Sequence, residues 1–428
     1  MTHGRLLEAA VPARLGRSYR YLLLSAWTTN LGDGLALAAA PLLVARQTSD
    51  PFWISAAAGV QWLAPLLLAL PAGVLTDRLD RRRLSLAVNT VRVGVLALLA
   101  LAVLLDSAPV AGVLVCLFLL ASAETVADSA SGAMTPMLVA RDDLALANGR
   151  LMVGYVTLNQ LAGPPLGAAL FVLGAHVPFA AQAVLVAAGA ATLLRVALPA
   201  TTREAAGPAR SSGWRTALGQ VGRDVAEGFT WTLHHAAVRT LVLTLLVFNL
   251  TFGAAWSVLV LYATQRLGLG EVGYGTVTTV GALGGLAGTL AYGRLTAVLS
   301  LASLMRIGLV IETLTHLVLA ATTSAWVALP VFFVFGAHAF VWGTTSMTVR
   351  QRAVPTALQG RVNAVNSVGC FAGLVVGSVL GGVLASAHGV TAPFWFAGVG
   401  SAVFVVAIWP QLRHIDHGER VGPEVVGG

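Results

Sequence analysis

The chain has 428 residues, 57% of them hydrophobic and only 10% charged, with a mean hydropathy of +0.81. That balance excludes a water-soluble globule and reads as a polytopic membrane protein. All 26 basic residues are Arg and the formal net charge is +8. They lie in short segments beside apolar runs rather than on one face, which points to the anionic inner leaflet and not to nucleic acid.

Arg5, Arg14, Arg17 and Arg20 precede an apolar run that contains Asn30 and Asp33 and lacks a small-residue cleavage site. This reads as a retained first helix, not a signal peptide. A hydrocarbon core takes roughly 20 apolar residues per helix. Twelve runs meet that length, near 20–44, 53–75, 84–105, 109–134, 149–173, 178–198, 240–263, 273–296, 302–322, 325–348, 364–387 and 391–411. With both termini cytoplasmic, every Arg except Arg46, Arg266 and the intramembrane Arg92 falls in an inner loop or tail, as the positive-inside rule requires. The expected fold is an all-α membrane protein with twelve transmembrane helices in two six-helix bundles. The expected divisions are a first bundle at 1–198, a cytoplasmic linker at 199–239, a second bundle at 240–411 and a tail at 412–428.

Charged groups inside spans cost about 2.5–3.5 kcal/mol on insertion scales, so each invites a reason. Asp33 lies near the middle of the first span, where it can exchange a proton and attract a cation, or steady a kink between Gly32 and Gly34. The turn after the second span, Gly73 to Leu84, packs Asp77, Arg78, Asp80, Arg81, Arg82 and Arg83 together, and such charge belongs in water. Arg92 follows in the third span as an ion-pair candidate. Glu124 and Asp128 in the fourth share one helical face, and two carboxylates at low dielectric resist double ionisation. They are the leading proton site; the alternative is an Asp128–Arg92 ion pair that leaves Glu124 alone.

In the fifth span Gly163-Pro164-Pro165-Leu166-Gly167 removes two backbone donors and admits a neighbouring backbone. The linker opens with Gly207, Pro208, Ser211, Ser212 and Gly213. Val221, Val225, Phe229 and Leu233 then recur at helical spacing beside Arg223, Asp224 and Glu227. That pattern predicts an amphipathic helix on the inner surface, or a plain tether. In the ninth span Glu312 and His316 repeat the spacing of Glu124 and Asp128, so Glu312 is a further proton-coupling candidate, with buttressing as its alternative. His338 in the tenth span carries an imidazole that switches charge near neutral pH, or packs. Trp27, Phe248, Phe252, Trp256 and Trp342, with Asn30, Asn249 and His338, are candidates for a substrate cavity wall; packing is the competing use. Trp53, Trp326 and Trp409 sit near span ends as interfacial anchors. Gly373, Gly377 and Gly381 in the eleventh span leave a smooth face for helix contact.

The halves repeat. Asn30-Leu-x-x-Gly34 recurs as Asn249-Leu-x-x-Gly253, and Gly149-Arg150 recurs as Gly360-Arg361 at a similar separation. A duplication places substrate between the halves near mid-membrane. Cys116 and Cys370 lie far apart in apolar runs and imply neither a disulfide nor a metal site. No Walker loop, nucleophile elbow or metal-ligand cluster is present in the sequence, so no ATP, cofactor, metal or enzymatic reaction is expected.

The order Gly73-x-Leu-x-Asp77-Arg78-x-x-Arg81-Arg82 resembles the signature between helices 2 and 3 of the major facilitator superfamily of secondary transporters. The resemblance implies that Asp77 faces the start of the eleventh span and that the Arg residues help hold a closed cytoplasmic gate. Asp80 stands where that family usually has Gly. Asn30-Leu-Gly-Asp33, Gln351-Arg352-x-x-Pro355, Gly360-Arg361-Val362, and Glu227-Gly228 with Trp231 and His234 resemble one branch of proton-driven exporters. That branch includes macrolide-type drug efflux pumps and the enterobactin exporter of enteric bacteria. Gly163-Pro164-x-x-Gly167 is similar to the core of the antiporter motif, although Asn159 occupies a Gly position and the fourth-span Arg of many proton antiporters is absent. The resemblance implies a monomer in the cell membrane whose partners are protons, a small-molecule substrate and the lipid bilayer. It would export an amphipathic drug or secondary metabolite by proton antiport through alternating access. A siderophore exporter of the same branch and a non-transporting membrane scaffold or sensor remain as other readings.

Overall fold

The computed structural model describes residues 12–198 and 214–412. The expected flexible piece at 207–213, the tail beyond Leu412, and Arg5 lie outside the described residues. Thirteen helices dominate the described chain: α1 Arg17–Gln47, α2 Pro51–Arg78, α3 Arg81–Leu104, α4 Val110–Leu138, α5 Arg141–Leu173, α6 Val177–Leu193, α7 Trp214–His234, α8 Ala236–Trp256, α9 Glu271–Val298, α10 Leu301–Ala321, α11 Ala325–Ala353, α12 Thr356–His388 and α13 Ala392–Leu412. Helices satisfy their own backbone donors and acceptors, which is why lipid selects them. Each predicted span coincides with one of these helices, and α7 is the amphipathic helix before the seventh span.

Among the described residues nine helices, α2 to α5, α8 and α10 to α13, are long and apolar enough to cross a membrane. Helix α6 is apolar but shorter. Helices α1 and α9 have the length yet are more polar, α1 because Thr28, Thr29, Asn30 and Asp33 interrupt its apolar run.

Local chemistry sets the breaks. Asp80 takes an extended conformation (φ −63°, ψ 111°) and its carboxylate accepts the Arg83 amide at 3.0 Å, capping α3. The departure from the family's Gly therefore supplies a helix cap, and the turn needs no left-handed residue. In α5, Tyr155–Ala162 widens into a π-helical stretch just before Gly163, Pro164 and Pro165. The prolines cannot donate to the carbonyls of the preceding turn, and a widened turn accommodates that loss.

The described residues divide into two compact units, one within 1–48, 63–219 and 274–279, the other within 49–62, 220–273 and 280–428. In the first, α1 packs on α5 and α6, and α3 packs on α4 and α6; in the second, α8 packs on α12 and α13, and α10 on α11 and α13. The neighbour pattern of one unit is thus the neighbour pattern of the other, as the sequence repeats predict. Glycine makes the closest crossings. A Cβ on Gly163 would lie 2.4 Å from the Cα of Gly34, and one on Gly377 would lie 2.2 Å from the carbonyl oxygen of Leu250. Leu15, Tyr19, Leu22 and Leu193 centre the first core, and Leu241, Met305, Leu309 and Ile408 the second.

Candidate functional site

In the first unit three helices converge on Arg92, whose side chain is only 3% exposed. Its Nη2 donates to Asp33 Oδ1 on α1, and its Nη1 donates to Asn89 Oδ1 at 3.2 Å. Gln182 of α6 donates its Nε2 to the same Asp33 oxygen at 2.9 Å. Arg92 therefore pairs with Asp33, and not with Asp128 as in the alternative to the α4 proton site. Gly34 seats α1 against Gly163 of α5, and the neighbouring carboxylate is thereby presented to α3. Asp33 is held by other helices, not by the turn around Gly32.

Glu124 and Asp128 remain within electrostatic reach of the same guanidinium. Among the described residues neither is held by a hydrogen bond or ion pair, and Asp128 is exposed while Glu124 is half-buried. Three carboxylates thus share one permanently charged cation.

The glycine-proline core of α5 forms the other wall. Gly163 and Gly167 touch the backbone of Gly34 and Leu35, and the Asn159 carbonyl would lie 2.5 Å from a Cβ on Gly34. Pro164 is buried in this crossing. Trp27 packs on α5: its Nε1 donates to the Arg150 carbonyl at 3.1 Å and its ring fills the space above Gly154. Asn30 turns back on its own helix, donating to the Ala26 carbonyl at 2.7 Å.

At the end of α2, Asp77 is 73% exposed and faces Arg81 at 3.5 Å. Arg81 also reaches Met137 Sδ at 2.8 Å, and Arg82 donates to the Leu194 carbonyl. These contacts tie the turn to the ends of α4 and α6. Arg78 occupies the last turn of α2, where a cation complements the helix dipole. Gly73 has open space about it.

The second unit holds a cavity of about 290 Å³ lined by Phe248, Asn249, Phe252, Glu312, Phe335, His338 and Trp342 among others. Glu312 Oε2 lies 2.9 Å from His338 Nε2, both side chains being buried. His316, one turn beyond Glu312, donates its Nδ1 to the Glu312 carbonyl at 2.9 Å and not to its carboxylate. One turn of helix aims His316 at the backbone, while α11 delivers an imidazole from the side. Trp256 stands behind the wall, stacked on Phe252 at 4.6 Å and tilted against Phe335 at 4.4 Å. Asn249 repeats Asn30, donating to the Leu245 carbonyl at 2.7 Å.

Helix α7 docks on the same unit. Arg361 of α12 meets Asp224 at 3.3 Å and Glu227 at 2.6 Å. A Cβ on Gly228 would lie 2.6 Å from the Arg361 carbonyl, so only Gly admits this approach. His235 stacks on Trp231 at 4.8 Å and caps α8 by accepting the Val238 amide; burial pushes its pKa below the ordinary imidazole value.

Asn89, Gln182 and Phe335 were not singled out from sequence. For Asn89 and Gln182 a signal existed: strongly polar side chains inside apolar spans must find partners.

The family model described as Major Facilitator Superfamily matches residues 22–373 and 241–424. The chain is 28% identical over 408 residues to the multidrug efflux pump Tap of Mycolicibacterium fortuitum, covering 92% of this chain and 96% of that protein. Among solved structures, the nucleoside transporter NupG superposes with a TM-score of 0.70 at 12% identity, covering 95% of this chain and all of that one (100%). A bacterial homologue of the iron transporter ferroportin gives 0.69 at 16% identity, covering 92% of this chain and 98% of the other. At such identities the solved structures share the fold alone.

Proposed function

This chain belongs to the major facilitator superfamily and is a multi-pass transporter of the cell membrane; from that premise we propose that it exports an amphipathic small molecule, a drug or secondary metabolite, by proton antiport through alternating access. The observation that carries the reading is the set of three carboxylates about the buried guanidinium of Arg92. The similarity to Tap, named a multidrug efflux pump, supports the direction and the class of cargo.

In this mechanism Arg92 compensates Asp33 throughout the cycle, and the Glu124/Asp128 pair gains a proton from outside and loses it inside. The charge change alters the pull of α4 on Arg92 and so on Asp33. The tight crossing of Gly34 and Leu35 with Gly163 and Gly167 transmits it to α5 without slack. Asp77, Arg78, Arg81 and Arg82 steady the closed inner mouth. Asn249, Phe252, His338 and Trp342 contribute the cargo wall from the second unit. The termini and the linker at 199–239 are cytoplasmic, consistent with the arginine distribution, and the bundles at 1–198 and 240–411 are the two halves that alternate.

The test is uptake into inverted vesicles of a panel of dyes and drugs, with and without an imposed inside-acid pH gradient. Gradient-stimulated uptake of at least one amphipathic compound is expected. Uptake indifferent to the gradient for every compound contradicts the antiport reading.

A further inference from the structure

We propose that Glu312 and His338 form a proton-competed ligand site in the second unit. There the His338 imidazolium stands in for the cationic nitrogen of a planar aromatic ligand. The inference deepens the cargo reading above, and rests on it for transport but not for binding.

A carboxylate buried in a membrane helix needs a counter-charge. For Asp33 that charge is a guanidinium, which does not deprotonate. For Glu312 it is an imidazole at 2.9 Å, which does. The pair is therefore built around a removable cation, and it lines an aromatic cavity. Phe248, Phe252, Phe335 and Trp342 surround that space, and Phe252 and Phe335 lie almost parallel, with 5.7 Å between centroids and 6° between planes. Aromatic faces attract organic cations most strongly once water is excluded. At about 290 Å³ the cavity is near the small end of ligand pockets.

Among the described residues that line this cavity, two buried polar atoms have no partner, His338 Nδ1 and Trp342 Nε1. Both belong to cavity-lining residues that are 8% and 9% exposed. Native interiors seldom leave such groups unmet, and a ligand acceptor for the indole N–H is one way to meet them. Gly308 admits this arrangement: a Cβ there would lie 2.8 Å from both His338 Nδ1 and Trp342 Cδ1.

The surroundings isolate the pair. On α10, His316 interacts with both members from behind Glu312, and Arg306 lies more than a turn away, over the Trp409 ring. Helix α8 contributes Phe248, Asn249 and Phe252. The spanning part of α13 has no charged residue, and those of α9, Glu271 and Arg294, sit toward its two ends.

The exchange balances. The ligand's cationic nitrogen pairs with the Glu312 carboxylate, the His338 imidazolium releases its unpartnered Nδ1 proton to solvent while its Nε2–H stays on Glu312, and one positive charge replaces another. Binding therefore weakens as protons become abundant, independently of Glu124 and Asp128.

The experiment uses the purified full-length protein in nanodiscs, with ethidium as a permanently cationic planar probe and an uncharged polycyclic aromatic of similar size as its control. Ethidium affinity should fall about tenfold between pH 8 and pH 5.5, within the range an imidazole commands, while the neutral probe is unaffected. His338→Gln should abolish the pH dependence. Glu312→Gln should weaken ethidium about tenfold or more and leave the neutral probe bound. Gly308→Ala, which displaces both rings, should weaken both probes. Absence of ethidium binding, pH dependence that persists in His338→Gln, or unchanged ethidium affinity in Glu312→Gln overturns the site. Those results beside intact gradient-driven uptake would leave the transport reading standing; pH-dependent ethidium binding beside no gradient-driven uptake would leave the site standing and remove that reading.

Discussion

At corresponding places in the two units, Asp33 follows Asn30 on α1 and Phe252 follows Asn249 on α8, each by three residues. Arg92 and Glu312 stand equally far into α3 and α10. The residues that shape the fold agree across the repeat: both Asn side chains bond back to their own helix, and glycines make the close crossings in both units. The residues between them differ in chemistry. One unit buries a carboxylate against a guanidinium, and the proposed antiport assigns the proton to the α4 pair. The other buries a carboxylate against an imidazole, inside aromatic walls. Duplication has preserved packing and let the charge arrangement diverge.

The largest expected effect comes from Arg92→Met, which strands Asp33 beside two further carboxylates. Removing one partner of a buried ion pair costs about 3–5 kcal/mol, so thermal unfolding in detergent should show severe loss, with Asp33→Asn restoring part of it. Comparable destabilisation by His338→Gln would mean that the two pairs are not different in kind. Next, Gly163→Val and Gly377→Val should each cost about 1–3 kcal/mol or more by overpacking, and by similar amounts, because the shared feature is the crossing; a harmless change in one unit alone breaks the equivalence. Asp77→Asn should slow transport about fivefold, the equivalent of about 1 kcal/mol for an exposed ion pair, while the protein still reaches the membrane. Unaltered efflux removes Asp77 from the gate. The smallest effect concerns His235. Burial lowers its pKa, so its share of stability is complete above the ordinary value near 6.5 and is lost as pH falls. The loss is under about 1 kcal/mol, the scale of one helix cap, and unfolding of His235→Gln should lack that acid-side slope.

Much of the architecture was legible because lipid demands long uninterrupted apolar runs, and each run became a helix. The turn at 73–84 was legible because its charge has no place in hydrocarbon. Partner choice was not. Which of Asp33, Glu124 and Asp128 meets Arg92 depends on how α1 seats against α5, and the glycines that set this were readable only as small residues. Glu312 had a sequence neighbour in His316 and found a spatial one in His338, since a helical i, i+4 pair also permits a side chain to bond the backbone. Trp27 shared the helix of Asp33 and Asn30, but rotation about α1 turned it onto α5. The prolines at 164 and 165 announced a disturbed helix without saying that the turn before them would widen.

The most direct measurement is substrate exchange and proton movement in proteoliposomes carrying the Glu124→Gln/Asp128→Asn variant beside the unmodified protein. Exchange of labelled cargo across the membrane should persist in the variant while acceleration by a pH gradient disappears. Gradient-driven transport at the unmodified rate in the double variant would contradict the assignment of the proton to the α4 pair.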